Sequence, residues 1–149
     1  MDIRNWSKDN ICRFYKKYFV EFHGIYKISR ACSIKMANRT IGDIDVAEIH
    51  DAFSVCEPIA LESLGFSDLG KGINMIKELH ETNNFKINPR GGLIGTGHPL
   101  GATGIAQTIE ITQQLQSKAG NRQVDDVNVG LVHNMSAAAT SSTVLILEK

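Results

Sequence analysis

Apolar and polar positions along this chain follow two periods, and the changes between them mark out its elements. Phe14, Tyr18 and Phe22 recur every four residues, with Tyr15, Phe19 and Tyr26 alongside and Arg13, Lys16, Lys17 and Glu21 between them. That is the period of a helix with a wide aromatic stripe. Residues 28–38 continue as a short helix, and residues 41–45 read as a turn. Residues 46–50 form a short strand, and Asp51 is placed to N-cap a helix running to about Leu64. Pro58 inside that span would kink the helix or delay its start, and Gly65 would end it. Residues 67–84 are polar and predict a loop with a short helix over 73–80. Farther on, Ala102, Ile105, Ala106, Ile109 and Leu115 lie on or beside one helical face and predict a helix over 101–118, stopped by Gly120 and Asn121. Residues 127–133 read as a strand ending at His133 and residues 135–142 as a turn of small residues. Residues 143–147 are a near-continuous apolar run suited to a buried strand. The order of helix, strand, helix, loop, helix, strand, strand predicts an α/β domain.

The stretch between the polar segment and the 101–118 helix is the most unusual in the chain. Residues 88–104 read Asn-Pro-Arg-Gly-Gly-Leu-Ile-Gly-Thr-Gly-His-Pro-Leu-Gly-Ala-Thr-Gly and hold six of the thirteen glycines and two of the three prolines. Glycine density of this kind marks a shaped loop. His98 sits between Gly97, which adds little bulk, and Pro99, whose φ is fixed. The loop is built to aim one imidazole.

Composition changes this picture little. A length of 149 residues suits one domain, and 42% apolar with 21% charged residues is ordinary for a globular protein. Net charge is zero, but residues 1–39 carry nine Lys/Arg against three Asp/Glu and the remainder carries the reverse excess. Attraction between the two ends, or to a partner subunit, is the reading preferred over nucleic-acid or membrane contact. Seven of the ten aromatics lie in residues 1–28. A helix docking on the core or on another chain explains them, with a basic amphipathic membrane helix as the alternative; no nucleic-acid motif accompanies them. The three cysteines, Cys12, Cys32 and Cys56, are odd in number and form no CxxC pair. That points to a reducing compartment, and a cytoplasmic location is expected. No apolar run is long enough to span a bilayer, and the N-terminus lacks the apolar core of a secretory signal.

Three of the five histidines fall at loop junctions: His50 after a strand, His98 before a helix, His133 before a turn. Sites in α/β sheets collect outside the carboxyl ends of strands. His23 and His80 lie in polar helical surroundings and read as surface residues. The segment Gly95–Gly101 is GxGxxxG, one residue too long for a dinucleotide fingerprint, and no Gly-Lys-Ser/Thr follows. No Cys/His set has the spacing of a metal site, and no GxSxG elbow is present. Acid–base chemistry by histidine remains, with backbone N–H groups nearby for an oxyanion. Those parts suit acyl transfer through a thioester.

Residues 91–104 resemble the Gly-His-Pro motif of thiolases. Glu48-Ile-His-Asp-Ala-Phe53 resembles their Asn-Glu-Ala-Phe motif in its His-Asp-Ala-Phe form, the form of the archaeal and sterol-carrier-protein branches. Gly130-Leu-Val-His-Asn134, followed by an apolar strand, is similar to their C-terminal loop and last strand. The resemblance covers roughly residues 28–149. It implies the C-terminal half of a thiolase-like fold, a mixed sheet packed with helices, with the first strand of the half missing and an edge open to a partner. Residues 1–28 are then a divergent segment and residues 29–149 the thiolase-like domain.

The resemblance also implies roles. His98 would activate the nucleophilic cysteine and the leaving thiol of coenzyme A, and His50 would help bind the thioester oxygen. His133 and Asn134 fall at or beside the position of the second, acid–base cysteine, and His133 is taken as a catalytic candidate. Asn134, Gly97 and Gly101 are candidates for binding substrate. No cofactor or metal is implied, since the coenzyme A thioester is the substrate. The reaction would be Claisen condensation or thiolytic cleavage of a 3-ketoacyl-CoA. The chain has no counterpart of the half that carries the nucleophilic cysteine, and Ala52 stands where one branch has a catalytic cysteine. The 135–142 loop lacks the family's glycines, so Ser136 or Ala137 would have to supply an oxyanion-hole N–H.

Three readings follow: a half-enzyme completed in trans by a separate chain, a non-catalytic thiolase-like interaction module, and a truncated fragment. The partner would be a thiolase N-terminal half or a second copy of the chain, within an acyl-CoA-processing complex or alone.

Overall fold

The computed structural model describes residues 26–82, 86–136 and 140–149. The aromatic stripe before Tyr26, with Cys12 and His23, lies outside the described residues. Helix α1 occupies residues 26–37. There follow β1 (Val46–Glu48), α2 (Cys56–Leu64), α3 (Gly72–Glu81), α4 (Gly92–Thr96), α5 (Thr103–Leu115), β2 (Val129–Met135) and β3 (Ser142–Glu148). The strands form a mixed sheet in the order β1-β2-β3, with β1 parallel and β3 antiparallel to β2. No strand precedes β1 among the described residues. This is the α/β architecture that the sequence pattern predicts.

Period-two alternation gives the sheet two different faces. Ala47, Ile49, Leu131 and Val144 gather with Tyr26 of α1 and with Ala60, Leu61 and Leu64 of α2. Val46 and Val132 face the other way, onto Ile111 and Leu115 of α5. Gly130 lets α5 approach β2 closely, because a Cβ there would collide with Ile111. Asp45 sets the start of the β1–β2 pair: its Oδ2 accepts the N–H groups of Asn128 and Val129 at 2.8 and 2.9 Å. Beyond β1, Ile87 makes a parallel bridge to Ala47, and Asn88 Oδ1 accepts the Ile49 N–H at 2.7 Å. The segment entering the glycine loop is thereby fastened along the strand that carries His50.

Several expectations need correction. Helix α2 begins at Cys56, so Asp51 does not cap it; Pro58 sits in the first turn, where its missing N–H does no harm. The glycine stretch contains the one-turn helix α4. Strand β2 runs on to Met135, so His133 lies within the strand and not at its end.

The largest difference concerns α5 and β3. Helix α5 buries Thr103, Gln107, Glu110, Ile111, Gln114 and Leu115, while Ile105 and Ile109, two of the apolar positions that mark the helix in the sequence, are 64% and 52% exposed. On β3, Val144 is buried but Leu145 is 44% exposed. The buried polar side chains of α5 are satisfied one by one, as burial demands. Arg122 Nη2 donates to Glu110 Oε2 at 2.9 Å. Gln114 donates to Glu110 and to the Arg122 carbonyl, and accepts from the Val124 N–H. The helix therefore buries polar residues beside Ile111 and Leu115 on its sheet-facing side and leaves Ile105 and Ile109 outward.

Candidate active site

Strands β1 and β2 are parallel, so their carboxyl ends lie on one side of the sheet, and the chain gathers three of the candidate side chains there. His50 follows β1, Asn134 lies near the end of β2, and His98 comes from the loop between α4 and α5. The rings of His50 and His98 meet edge to face, with centroids 4.8 Å apart at 89°. Asn134 Nδ2 lies 3.3 Å from His50 Nδ1. His50 is 3% exposed and His98 is half-buried, so His98 is the member nearer solvent.

Asp51 explains how the glycine loop reaches this place. Its carboxylate is buried and its Oδ1 accepts the N–H of Leu93 in α4 at 2.6 Å. Gly92, at φ 63°, leaves room for it, since a Cβ there would collide with the carboxylate. The His-Asp pair thus works as a unit: one residue points into the site and the next ties down the loop that brings His98. Glu48 adds a second tie by accepting the Arg90 N–H at 3.2 Å. Burial pushes the Glu48 carboxyl up to about 7, although the Arg90 N–H and guanidinium oppose the shift.

The tautomers follow from hydrogen-bond polarity. Thr103 Oγ1 donates its single proton to the Pro99 carbonyl at 3.1 Å. It can therefore only accept from His98 Nδ1, 2.7 Å away. His98 then carries its proton on Nδ1 and leaves a bare lone pair on Nε2. For His50 the amide of Asn134 donates to Nδ1, leaving the proton on Nε2. Desolvation, with a smaller contribution from His98, holds His50 down to about 4. It is a neutral hydrogen-bond donor at physiological pH. One ring presents a lone pair at Nε2 and the other an N–H.

The remaining candidates sit differently. His133 is fully buried, with Tyr26 packed edge to face on it at 4.6 Å, and burial lowers it to about 3. Its Nδ1 accepts the His50 N–H at 3.5 Å, so it touches the site through the His50 backbone. The Gly97 N–H is taken by the Leu93 carbonyl at 2.9 Å, and its φ of 87° turns the chain into His98. Gly101 is exposed and lines a groove beside Asn134. Ser136 gives its N–H to Ser141 at 3.1 Å, and Ala137 lies outside the described residues. Cys56 is buried at the start of α2, where desolvation raises its thiol, the opposite of an activated nucleophile. Thr103, at the end of the Gly-His-Pro segment, and Gln107, which no motif announces, hold His98 and Asn134; the spacing of Thr103, Gln107, Glu110 and Gln114 marks a polar stripe on one face of α5.

Comparison with known proteins gives the family. A model of the thiolase C-terminal domain-like family matches residues 21–149. The chain is 41% identical over 119 residues to an acetyl-CoA acetyltransferase of Methanothermobacter thermautotrophicus, an alignment covering 78% of this chain and 31% of that protein. It is 46% identical over 109 residues to human sterol carrier protein 2, covering 72% and 20% respectively. A benzoylsuccinyl-CoA thiolase subunit of Thauera aromatica is 34% identical over 94 residues, covering 61% and 24%. The chain thus spans a third or less of the length of these relatives. With its Gly-His-Pro loop, its His-Asp-Ala-Phe turn and a family match that runs to its last residue, the chain belongs to the thiolase family, as a C-terminal half.

Proposed function

We propose that this chain supplies the acid–base half of a thiolase-type acyltransferase site and takes its nucleophilic cysteine from a separate chain. The observation that carries the reading is the pairing of a bare Nε2 on His98 with a neutral donor, His50, at the carboxyl ends of parallel strands. His98 Nε2 takes the proton of the incoming thiol, so that the thiolate attacks the 3-keto carbon. The bond between C2 and C3 then breaks, the acyl group stays on sulfur, and the C2 carbanion is held as an enolate. His50 Nε2–H donates to the thioester oxygen where that enolate charge collects. The His98 imidazolium returns that proton to C2 and the shortened acyl-CoA leaves. In the second half His98 takes the proton of a coenzyme A thiol, its thiolate accepts the acyl group, and the departing cysteine thiolate recovers the proton from His98. The names of the acetyl-CoA and benzoylsuccinyl-CoA relatives support a coenzyme A thioester as substrate. His133 supports the His50 backbone and makes no contact with substrate.

The outward apolar face supports a partner carrying the missing half. Leu100, Ile105, Ile109 and Leu145 line an open groove of about 590 Å³ that begins at Asn134 and Gly104, beside the histidines. A chain docked along α5 and β3 would cover these residues and reach the site at the groove's end.

The test is complementation. The chain alone is expected to leave acetoacetyl-CoA uncleaved, and a cognate thiolase N-terminal half is expected to restore thiolysis. Replacing His98 by Ala should lower the restored kcat by about 10²–10⁴-fold; unchanged activity would remove His98 from the chemistry. Ala52 and the engaged Ser136 N–H favour a second reading, a thiolase-like half kept as an interaction module. Stable association without turnover and without coenzyme A binding would select it.

A further inference from the structure

We infer that Gln107 of α5 is a positioning residue that fixes the tautomer of His50 through the amide of Asn134. The argument begins at a group with no choice of polarity, the backbone carbonyl of His133, which can only accept. Gln107 Nε2 lies 3.3 Å from it and must donate, so the other end of the amide, Oε1, must accept. Asn134 Nδ2 donates to that oxygen at 2.9 Å. Its second proton is directed to His50 Nδ1 at 3.3 Å. Both protons of the Asn134 amide are then committed, His50 Nδ1 must be bare, and Nε2 carries the proton.

The setting makes the relay rigid. Gln107 is fully buried and His50 almost so, and neither loses its partners to solvent. Asn134 lies beside Gly104 at the start of α5. His50 is neutral at physiological pH, so the choice between its two neutral tautomers is a real one. With the opposite choice it would aim a lone pair at an anionic oxygen. The consequence for catalysis rests on the function proposed above; the relay itself does not.

The experiment reads the tautomer directly. In a long-range proton–nitrogen correlation spectrum of the 15N-histidine-labelled chain, His50 is identified by the peaks lost in His50→Gln. The wild-type chain is expected to show His50 with a pyridine-type Nδ1 and a protonated Nε2. In Gln107→Met, which keeps the volume and removes the anchor, Asn134 is free to turn over. The tautomer ratio is expected to fall about five-fold, the factor that one net hydrogen bond supports. In Asn134→Asp the side chain can only accept, and the proton is expected to move to Nδ1. The second variant changes a half-buried residue at a strand end and keeps the test open should Gln107→Met not fold.

A wild-type His50 protonated on Nδ1, or a tautomer indifferent to both substitutions, would overturn the inference. Where an active complex is reconstituted, Gln107→Met should lower kcat and leave KM within about two-fold, since a misplaced proton weakens transition-state contacts more than ground-state binding. If the spectra obey the relay while His98→Ala leaves turnover unchanged, the relay stands and the thiolase reading falls.

Discussion

Asp51 is the tie between the two motifs of the site, and removing it gives the most closely worked prediction. In Asp51→Ala the Leu93 N–H loses a buried acceptor held at 2.6 Å, and Leu93 itself is buried, so water does not readily replace it. A hydrogen bond to a charged group contributes roughly 1.5–3 kcal/mol, and an orphaned buried donor lies in the same range. The variant is expected to lose about 2–3 kcal/mol of stability. Asp51→Asn, which keeps an acceptor, is expected to lose about 1 kcal/mol. Gly92→Ala provides the cross-check. Its Cβ would strike the Asp51 carboxylate and its φ of 63° disfavours a side chain. Strain and overpacking together place its cost at about 2–4 kcal/mol. In the Asp51→Ala background the collision disappears and only the backbone strain of about 1–2 kcal/mol remains. Urea denaturation of the four proteins closes the cycle: the midpoint should shift at constant slope, with a coupling of at least about 1 kcal/mol. Additive losses, or a loss below about 0.5 kcal/mol for Asp51→Ala, would refute the assignment of Asp51 as the anchor of the loop.

Other predictions follow from the same geometry. His50 and His133, held at about 4 and about 3 against an ordinary 6.5, bind fewer protons folded than unfolded, so their contribution to stability is full above pH 6.5 and is lost as pH falls. Glu48, raised to about 7, holds a proton that the unfolded chain releases near 4.5, and its contribution has the opposite sign. Two protons against one leave stability rising by at most about 1.4 kcal/mol per pH unit between about pH 5 and 6, and Glu57, whose carboxyl is also raised by burial, reduces that slope. Glu48→Gln should steepen that rise in urea melts across the range, and a flat profile in both proteins would contradict the assignment. Thr103→Val removes the acceptor of the His98 Nδ1 proton, and the kcat of a reconstituted complex should fall roughly tenfold, as when a histidine loses its orienting partner; an unchanged kcat would argue against the tautomer assigned to His98. Ile109→Glu should change the stability of the chain by less than about 0.5 kcal/mol, because the side chain is half exposed, yet weaken co-purification with an N-terminal half. Normal association would place the partner elsewhere.

The parts of the fold that are local in sequence were legible in it. Gly65 ends α2 in a left-handed conformation, as its position foretells, and α3 and β3 fall where periodicity puts them. The parts set by distant partners were not. Asp51 looks like a helix cap because it precedes an apolar run, but its acceptor serves Leu93, brought near only by folding. Helix α5 falls within its predicted span, but which of its faces is buried is set by distant partners. Its apolar stripe is real, but the polar stripe beside it finds partners in Arg122, Val124, Asn134 and the His133 carbonyl, and so can be buried at little cost. His50 and His98 were named by their motifs, and their edge-to-face meeting agrees with a shared site. Gln107 carries no motif. Its only sign in the sequence is a glutamine in register with Thr103 and Gln114 along one side of a helix.

The central proposal is that His98 acts as a base on the nucleophilic thiol of a partner chain. The most direct measurement is the pH dependence of iodoacetamide alkylation of the nucleophilic cysteine in a complex with a thiolase N-terminal half. With the wild-type chain the cysteine should react at pH values well below the usual thiol range near about 8.5. With His98→Ala bound equally well, the inflection should return to that range. Identical profiles for the two chains would contradict the account.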